Sequence, residues 1–144
     1  MRTSIVESKY TSMYFDEKNR LFEQYWYEES THMSEEEYKQ IHSSWVQKLI
    51  KHQYNIYRFL LDNRKNGFIM STKLQRWHDQ NITQVVLQNL PAPTKVKSAI
   101  VASEDFLSQL AIEQTVKENE EVNSFVYYFS DIREARDWIL KQQY

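Results

Sequence analysis

The chain has 144 residues, 41% hydrophobic and 26% charged side chains and a formal charge of -2, the composition of one globular domain rather than of a disordered tail or a membrane span. Its single glycine, Gly67, and its lack of cysteine exclude glycine-rich phosphate loops, disulfides, thiol nucleophiles and thiolate metal sites. The slightly acidic balance attracts no polyanion, so nucleic-acid binding is not expected.

The polar stretch Met1 to Ser8 predicts no secretory signal, and the apolar runs Phe59 to Leu61 and Ala99 to Ala102 are too short to cross a bilayer. We expect one soluble, cytoplasmic domain over residues 1–144. Thr11 to Phe15 and Leu21 to Tyr27 are rich in aromatics and flank the polar loop 16–20, which predicts an N-terminal hairpin. Ser34 and Glu37 have capping-box spacing and open a helix whose buried stripe is Tyr38, Ile41, Trp45 and Leu49.

Ile56 to Leu61 reads as a strand ending near Asp62, and 63–70 as a loop. A second helix starts at Ser71 or Thr72 and runs through Trp77 and Val85 to Leu90, where Pro91 and Pro93 stop it. Lys95 to Ala102 is the next strand. Ser103, followed by Glu104 and Asp105, caps a third helix expected to bury Phe106 and Leu110 before the acidic run 118–121 ends it. Ser124 to Phe129 is a strand, and Asp131 with Glu134 starts a final helix carrying Ala135, Trp138 and Ile139 toward the core. The expectation is an α/β fold: an N-terminal hairpin, three right-handed helix-strand units and a C-terminal helix, with a mixed five-stranded sheet and helices mainly on one face.

The segment Phe129-Ser130-Asp131-Ile132-Arg133-Glu134-Ala135-Arg136-Asp137-Trp138-Ile139 resembles the last strand and helix of small bacterial STAS-like proteins, the SpoIIAA-like or STAS/SEC14-type group. Leu60-Leu61-Asp62-Asn63-Arg64, then Phe68 and a helix near Ser71, resembles their third strand and following helix. The resemblance implies regulatory interaction, or an apolar ligand in the SEC14-like branch, rather than turnover. In the anti-sigma antagonist branch a serine at the start of the second helix is phosphorylated, and Ser71 or Thr72 takes the comparable place. No glycine follows it here, and capping alone explains either residue.

No catalytic set assembles from these residues, and no cofactor is expected. Asp62 and Arg64 suit a bidentate pair that braces the 63–70 loop. His32, His42, His52 and His78 do not have metal-ligand spacing and read as surface or half-buried side chains. Asn81-Ile82-Thr83 matches a glycosylation sequon but lies inside the expected second helix.

The aromatic content of 15% is the remaining signal. If Arg58 and Lys97 face away from the helices, alternation places Tyr25, Tyr27 and Tyr128 with them, together with Glu23, Leu21, Ile56, Leu60 and Val126, and that face is a candidate interaction surface. Two functions follow. The first is a non-catalytic interaction or regulatory module, a homodimer or a binder of another protein. The alternative is a SEC14-like binder or sensor of a small apolar ligand, in a cavity lined by side chains such as Phe68, Trp77 and Phe106.

Overall fold

The computed structural model describes residues 2–143. Six strands form one mixed sheet in sequential order: β1 (Arg2–Glu7), β2 (Thr11–Asp16), β3 (Leu21–Trp26), β4 (Arg58–Asp62), β5 (Lys97–Val101) and β6 (Val126–Phe129). β1 to β3 form an antiparallel meander, and β3 to β6 run parallel.

The sheet therefore has six strands instead of five, and the N-terminal hairpin is a three-stranded meander. β1 escapes the sequence pattern because it is an edge strand with one neighbour, so its mostly exposed residues show no alternation. A register shift between Ser4 and Val6 inserts Ile5, which is fully buried.

The parallel strands are linked by helices. α1 (Glu35–His52) joins β3 to β4, α2 (Thr72–His78) and α3 (Gln84–Gln88) join β4 to β5, and α4 (Phe106–Lys117) and α5 (Glu120–Phe125) join β5 to β6. α1 starts at the capping box that its spacing predicts, with Ser34 Oγ accepting from Glu37 N–H at 3.1 Å and Glu37 Oε1 accepting from Ser34 N–H at 2.9 Å. α2 and α3 are one helix interrupted by a π turn at Asp79–Thr83. Ser71 is the cap of α2 rather than Thr72: its hydroxyl accepts from Leu74 N–H and donates to Glu35. Asp105 rather than Ser103 caps α4, through Ser108 N–H at 2.8 Å.

These helices cover one face of the sheet. Phe22 and Phe59 lie on it with Trp45, Val46 and Leu49 of α1 and Ile82 and Val86 of the second helical unit. Phe22 and Trp45 pack at 4.4 Å between ring centroids, and burying each large apolar side chain contributes about 1.5 to 3 kcal/mol.

α6 (Ile132–Lys141) lies on the other face, where Ala135 and Ile139 pack on Leu21, Leu60, Ala99 and Val101. The helices are thus mainly on one face, as expected, but the opposite face is not bare. Phe106 and Leu110 do not enter the core: Phe106 is 77% exposed, and α4 buries only Ser108 and Ala111.

The single glycine is required by a close approach. Gly67 sits against the turn Glu28–His32, its N–H donating to Ser30 Oγ at 3.0 Å, and a Cβ there would stand 2.2 Å from Thr31 Oγ1. Gly67→Ala is expected to cost about 1 to 3 kcal/mol through overpacking, read as a lower urea midpoint; an unchanged midpoint would show that the Thr31 side chain rotates away freely.

Candidate functional site

A cavity of about 190 Å³ lies between the helix-covered face and the helices above it. Its walls come from β3 to β6, α1, the α2–α3 unit and α4–α5, and its apolar lining includes Phe22, Trp45, Phe59, Phe68 and Ile100. No aspartate, glutamate, lysine or arginine lines it among the described residues. The sequence places three side chains around such a space, and only Phe68 lines it. Phe106 points outward, and Trp77 packs among the surrounding core residues.

The polar groups on this wall are under-satisfied. Ser98, the second residue of β5, is 4% exposed, and no hydrogen bond reaches its hydroxyl among the described residues. A central parallel strand favours β-branched apolar residues, so a buried serine without a partner calls for an explanation. Gln24, on β3, donates to Thr11 Oγ1 at 3.2 Å while its carbonyl oxygen has no partner among the described residues.

Tyr38, His42 and His78 form the third polar element. The Tyr38 and His42 rings stack at 4.0 Å, Trp26 stacks on both, and His42 and His78 meet edge to face at 5.4 Å. His42 Nδ1 lies 3.0 Å from the Tyr38 carbonyl oxygen, and His78 Nδ1 lies 2.8 Å from Tyr38 Oη. Burial pushes the His42 ring down to about 4 and the Tyr38 phenol well above its ordinary value. His78 is also pushed down, first by burial and then by the nearby His42. His78 remains partly exposed, so its share is the weaker of the two.

The histidine spacing in sequence did not suggest this pairing, yet the helical period contains it. His42 is four residues after Tyr38 and three before Trp45, and His78 is four after Leu74, so each lies on its helix's buried stripe. Their meeting is tertiary, because α1 and α2 are separated by β4. The π turn follows His78 directly, and its Ile82 and Thr83 line the cavity. Such turns recur at functional sites. Among the described residues there is no group of three or more metal-ligating side chains.

The expected interaction face is divided. Tyr25 and Tyr27 lie on the α6 side, and Tyr128 does not: the register Ile100↔Tyr128 puts it on the opposite face, where Tyr127 and Phe129 are not. The segment before β6 is helical (α5), so the strand starts at Val126 rather than Ser124. Ile56 and Val126 also belong to the other side, in the main core and on the cavity wall.

On the α6 side, Tyr25 Oη donates to the buried Glu23 at 2.5 Å, and Arg2 and Arg136 pair with that carboxylate at 3.1 and 3.0 Å. Arg136 also donates to Tyr25 Oη. Arg58 binds the Asn19 and Gln142 carbonyl oxygens at 2.8 and 2.6 Å, which ties the β2–β3 turn to the end of α6. Lys97 lies over Tyr127 at 5.9 Å, and Tyr27 Oη donates to Ser12 Oγ at 2.9 Å.

Asp62 and Arg64 form a bidentate pair at 3.0 and 2.8 Å at the end of β4. Asp62 also accepts from Arg64 N–H, so the pair folds the start of the 63–70 loop back on itself. Thr72 is exposed on the first turn of α2. Comparison of the chain with family models, curated proteins and solved structures gives no match. No helix among the described residues is long and apolar enough to cross a membrane.

Proposed function

We propose that this chain is a non-catalytic binder or sensor of a small apolar ligand held between its helices and its sheet. The observation that carries the reading is the cavity of about 190 Å³, uncharged and mostly apolar, on whose wall the Ser98 hydroxyl and the Gln24 carbonyl oxygen have no hydrogen-bond partner among the described residues. Sites for small molecules are apolar concavities with a few placed polar groups, and Ser98 is such a group in a position where packing alone favours valine or isoleucine. The STAS-like resemblance belongs to the same proposal. It is supported by the three parallel β-helix-β links in sequential strand order, and its SEC14-like branch agrees with ligand carriage.

Ser98→Leu tests the reading, because it fills the cavity and removes the unpartnered hydroxyl. It is expected to stabilise the protein by about 1 kcal/mol, seen as a rise in Tm of about 2 to 4 °C. The same variant should lose any compound that native mass spectrometry detects on the gently purified wild type. A destabilised Ser98→Leu would mean that the space is too small to take the side chain, and the proposal would fall.

Self-association through the sheet is a second reading, favoured by the exposure of Tyr27 and Tyr127 on the α6 side. α6 and its partners already occupy the middle of that face. The surface left for a second copy is the β1–β3 end with Tyr14, Tyr25 and Tyr27, and sedimentation at increasing concentration distinguishes the two.

A further inference from the structure

The cavity's polar wall also specifies what kind of molecule fits it, an inference that rests on the proposed ligand-binding function. His42 is 4% exposed, and its Nδ1 faces the Tyr38 carbonyl oxygen at 3.0 Å. A carbonyl oxygen only accepts, so Nδ1 must carry the ring proton of a neutral imidazole. His42 Nε2 therefore presents a lone pair, and no donor reaches it among the described residues.

Across from it, the Tyr38 hydroxyl has one proton and two acceptors in reach, His78 Nδ1 at 2.8 Å and the Met70 sulfur at 3.7 Å. The imidazole nitrogen is the stronger acceptor. Donation to it leaves the His78 proton on Nε2, which likewise has no protein partner among the described residues. The wall thus offers one acceptor and one donor on rings 5.4 Å apart. An unpartnered acceptor on a ring this deeply buried is costly unless something else supplies the donor.

Size, shape and charge narrow the occupant further. A cavity of about 150 Å³ lined by apolar side chains holds one benzene, so about 190 Å³ suits one substituted ring of roughly seven to ten non-hydrogen atoms. Trp45, Phe22, Phe59 and Phe68 supply flat walls. With no charged residue on the lining, a carboxylate or an ammonium would lose its hydration without compensation. We propose that the cavity binds a neutral ring compound bearing a hydroxyl or comparable hydrogen-bonding group, which donates to His42 Nε2 and accepts from His78.

The experiment compares three probes of similar size on the full chain at pH 7 by calorimetric titration: p-cresol, toluene and benzoate. The expected result is p-cresol about tenfold tighter than toluene and no binding of benzoate. His42→Leu should bring p-cresol down to the affinity of toluene and leave toluene unchanged. If that variant does not fold, the ¹⁵N shift of His42 Nε2 in the wild type replaces it and should move with p-cresol and not with toluene.

Equal affinities for p-cresol and toluene, tighter binding of benzoate, or an unmoved His42 resonance would each overturn the assignment of a neutral hydrogen-bonding ring while leaving an apolar binding cavity in place. Absence of binding by both p-cresol and toluene would overturn the cavity's binding function as well.

Discussion

Acidification from pH 7 to pH 4 is expected to weaken the fold, with His42 responsible for the largest single share. Its ring titrates near 6.5 in an unfolded chain and at about 4 in the folded one. The folded value is the lower, so the unfolded state binds more protons between these limits, and stability falls as pH drops through the window. The interval corresponds to about 3 kcal/mol. The groups packed around the ring are Tyr38, Trp26 and His78, and no carboxylate pairs with either histidine among the described residues. A protonated His42 would therefore have no counter-ion, and a charge on His78 would add repulsion. His42→Leu removes the titrating group. Urea midpoints at pH 7, 5 and 4 should decline less steeply for the variant than for the wild type, and parallel declines would place the acid sensitivity elsewhere.

The second large effect concerns the helix that crosses to the other face. Glu23 is a charge with only 3% of its side chain exposed, on a central strand, neutralised by Arg2 from β1 and Arg136 from α6. Each arginine is partly solvated, so Arg2→Ala or Arg136→Ala alone is expected to cost about 1 kcal/mol. Removing both strands the carboxylate with the Tyr25 hydroxyl, and the double variant should lose about 3 to 5 kcal/mol. The excess over the sum of the singles is the signature of a shared buried charge. Loosening α6 also uncovers Leu21, Leu60, Ala99 and Val101, so the double variant should self-associate in sedimentation velocity where the wild type does so less. Strict additivity in denaturation midpoints would reduce the cluster to two independent surface pairs.

The elements that were legible in the sequence share one property: their signals are local. The Ser34 and Glu37 pair, the stripe through Trp45 and Leu49, the proline stop after Leu90 and the Asp131 cap all act within a turn or two of helix. The misreadings arise where a neighbour distant in sequence decides. β1 is a strand because β2 lends it hydrogen bonds, although its own residues do not alternate. Phe106 reads as core because it is apolar beside a cap, but α4 turns it outward toward solvent. Tyr128 falls on the other face because residues 120–125 are helical, so the strand starts at Val126, and its register against β5, with Val126 opposite Ser98, is set by tertiary pairing.

The candidate site has the same division. That His42 and His78 belong to buried stripes follows from helical periodicity, and that Ser98 lies in a strand follows from its apolar neighbours. Nothing along the chain brings His42 to His78, or aims Ser98 at the space they share.

Sequence alone was enough to establish an α/β chain with one glycine and no cysteine, free of phosphate loops and thiolate chemistry, because composition and short-range hydrogen bonding are properties of the chain itself. Which face each helix covers, and therefore whether the aromatic side chains enclose a cavity or meet solvent, was decided only by the tertiary structure. A helix's apolar stripe specifies that it must be buried but not against which side of a sheet, and α6 settles on the far side because Leu21, Leu60, Ala99 and Val101 offer there an apolar surface that no other helix covers.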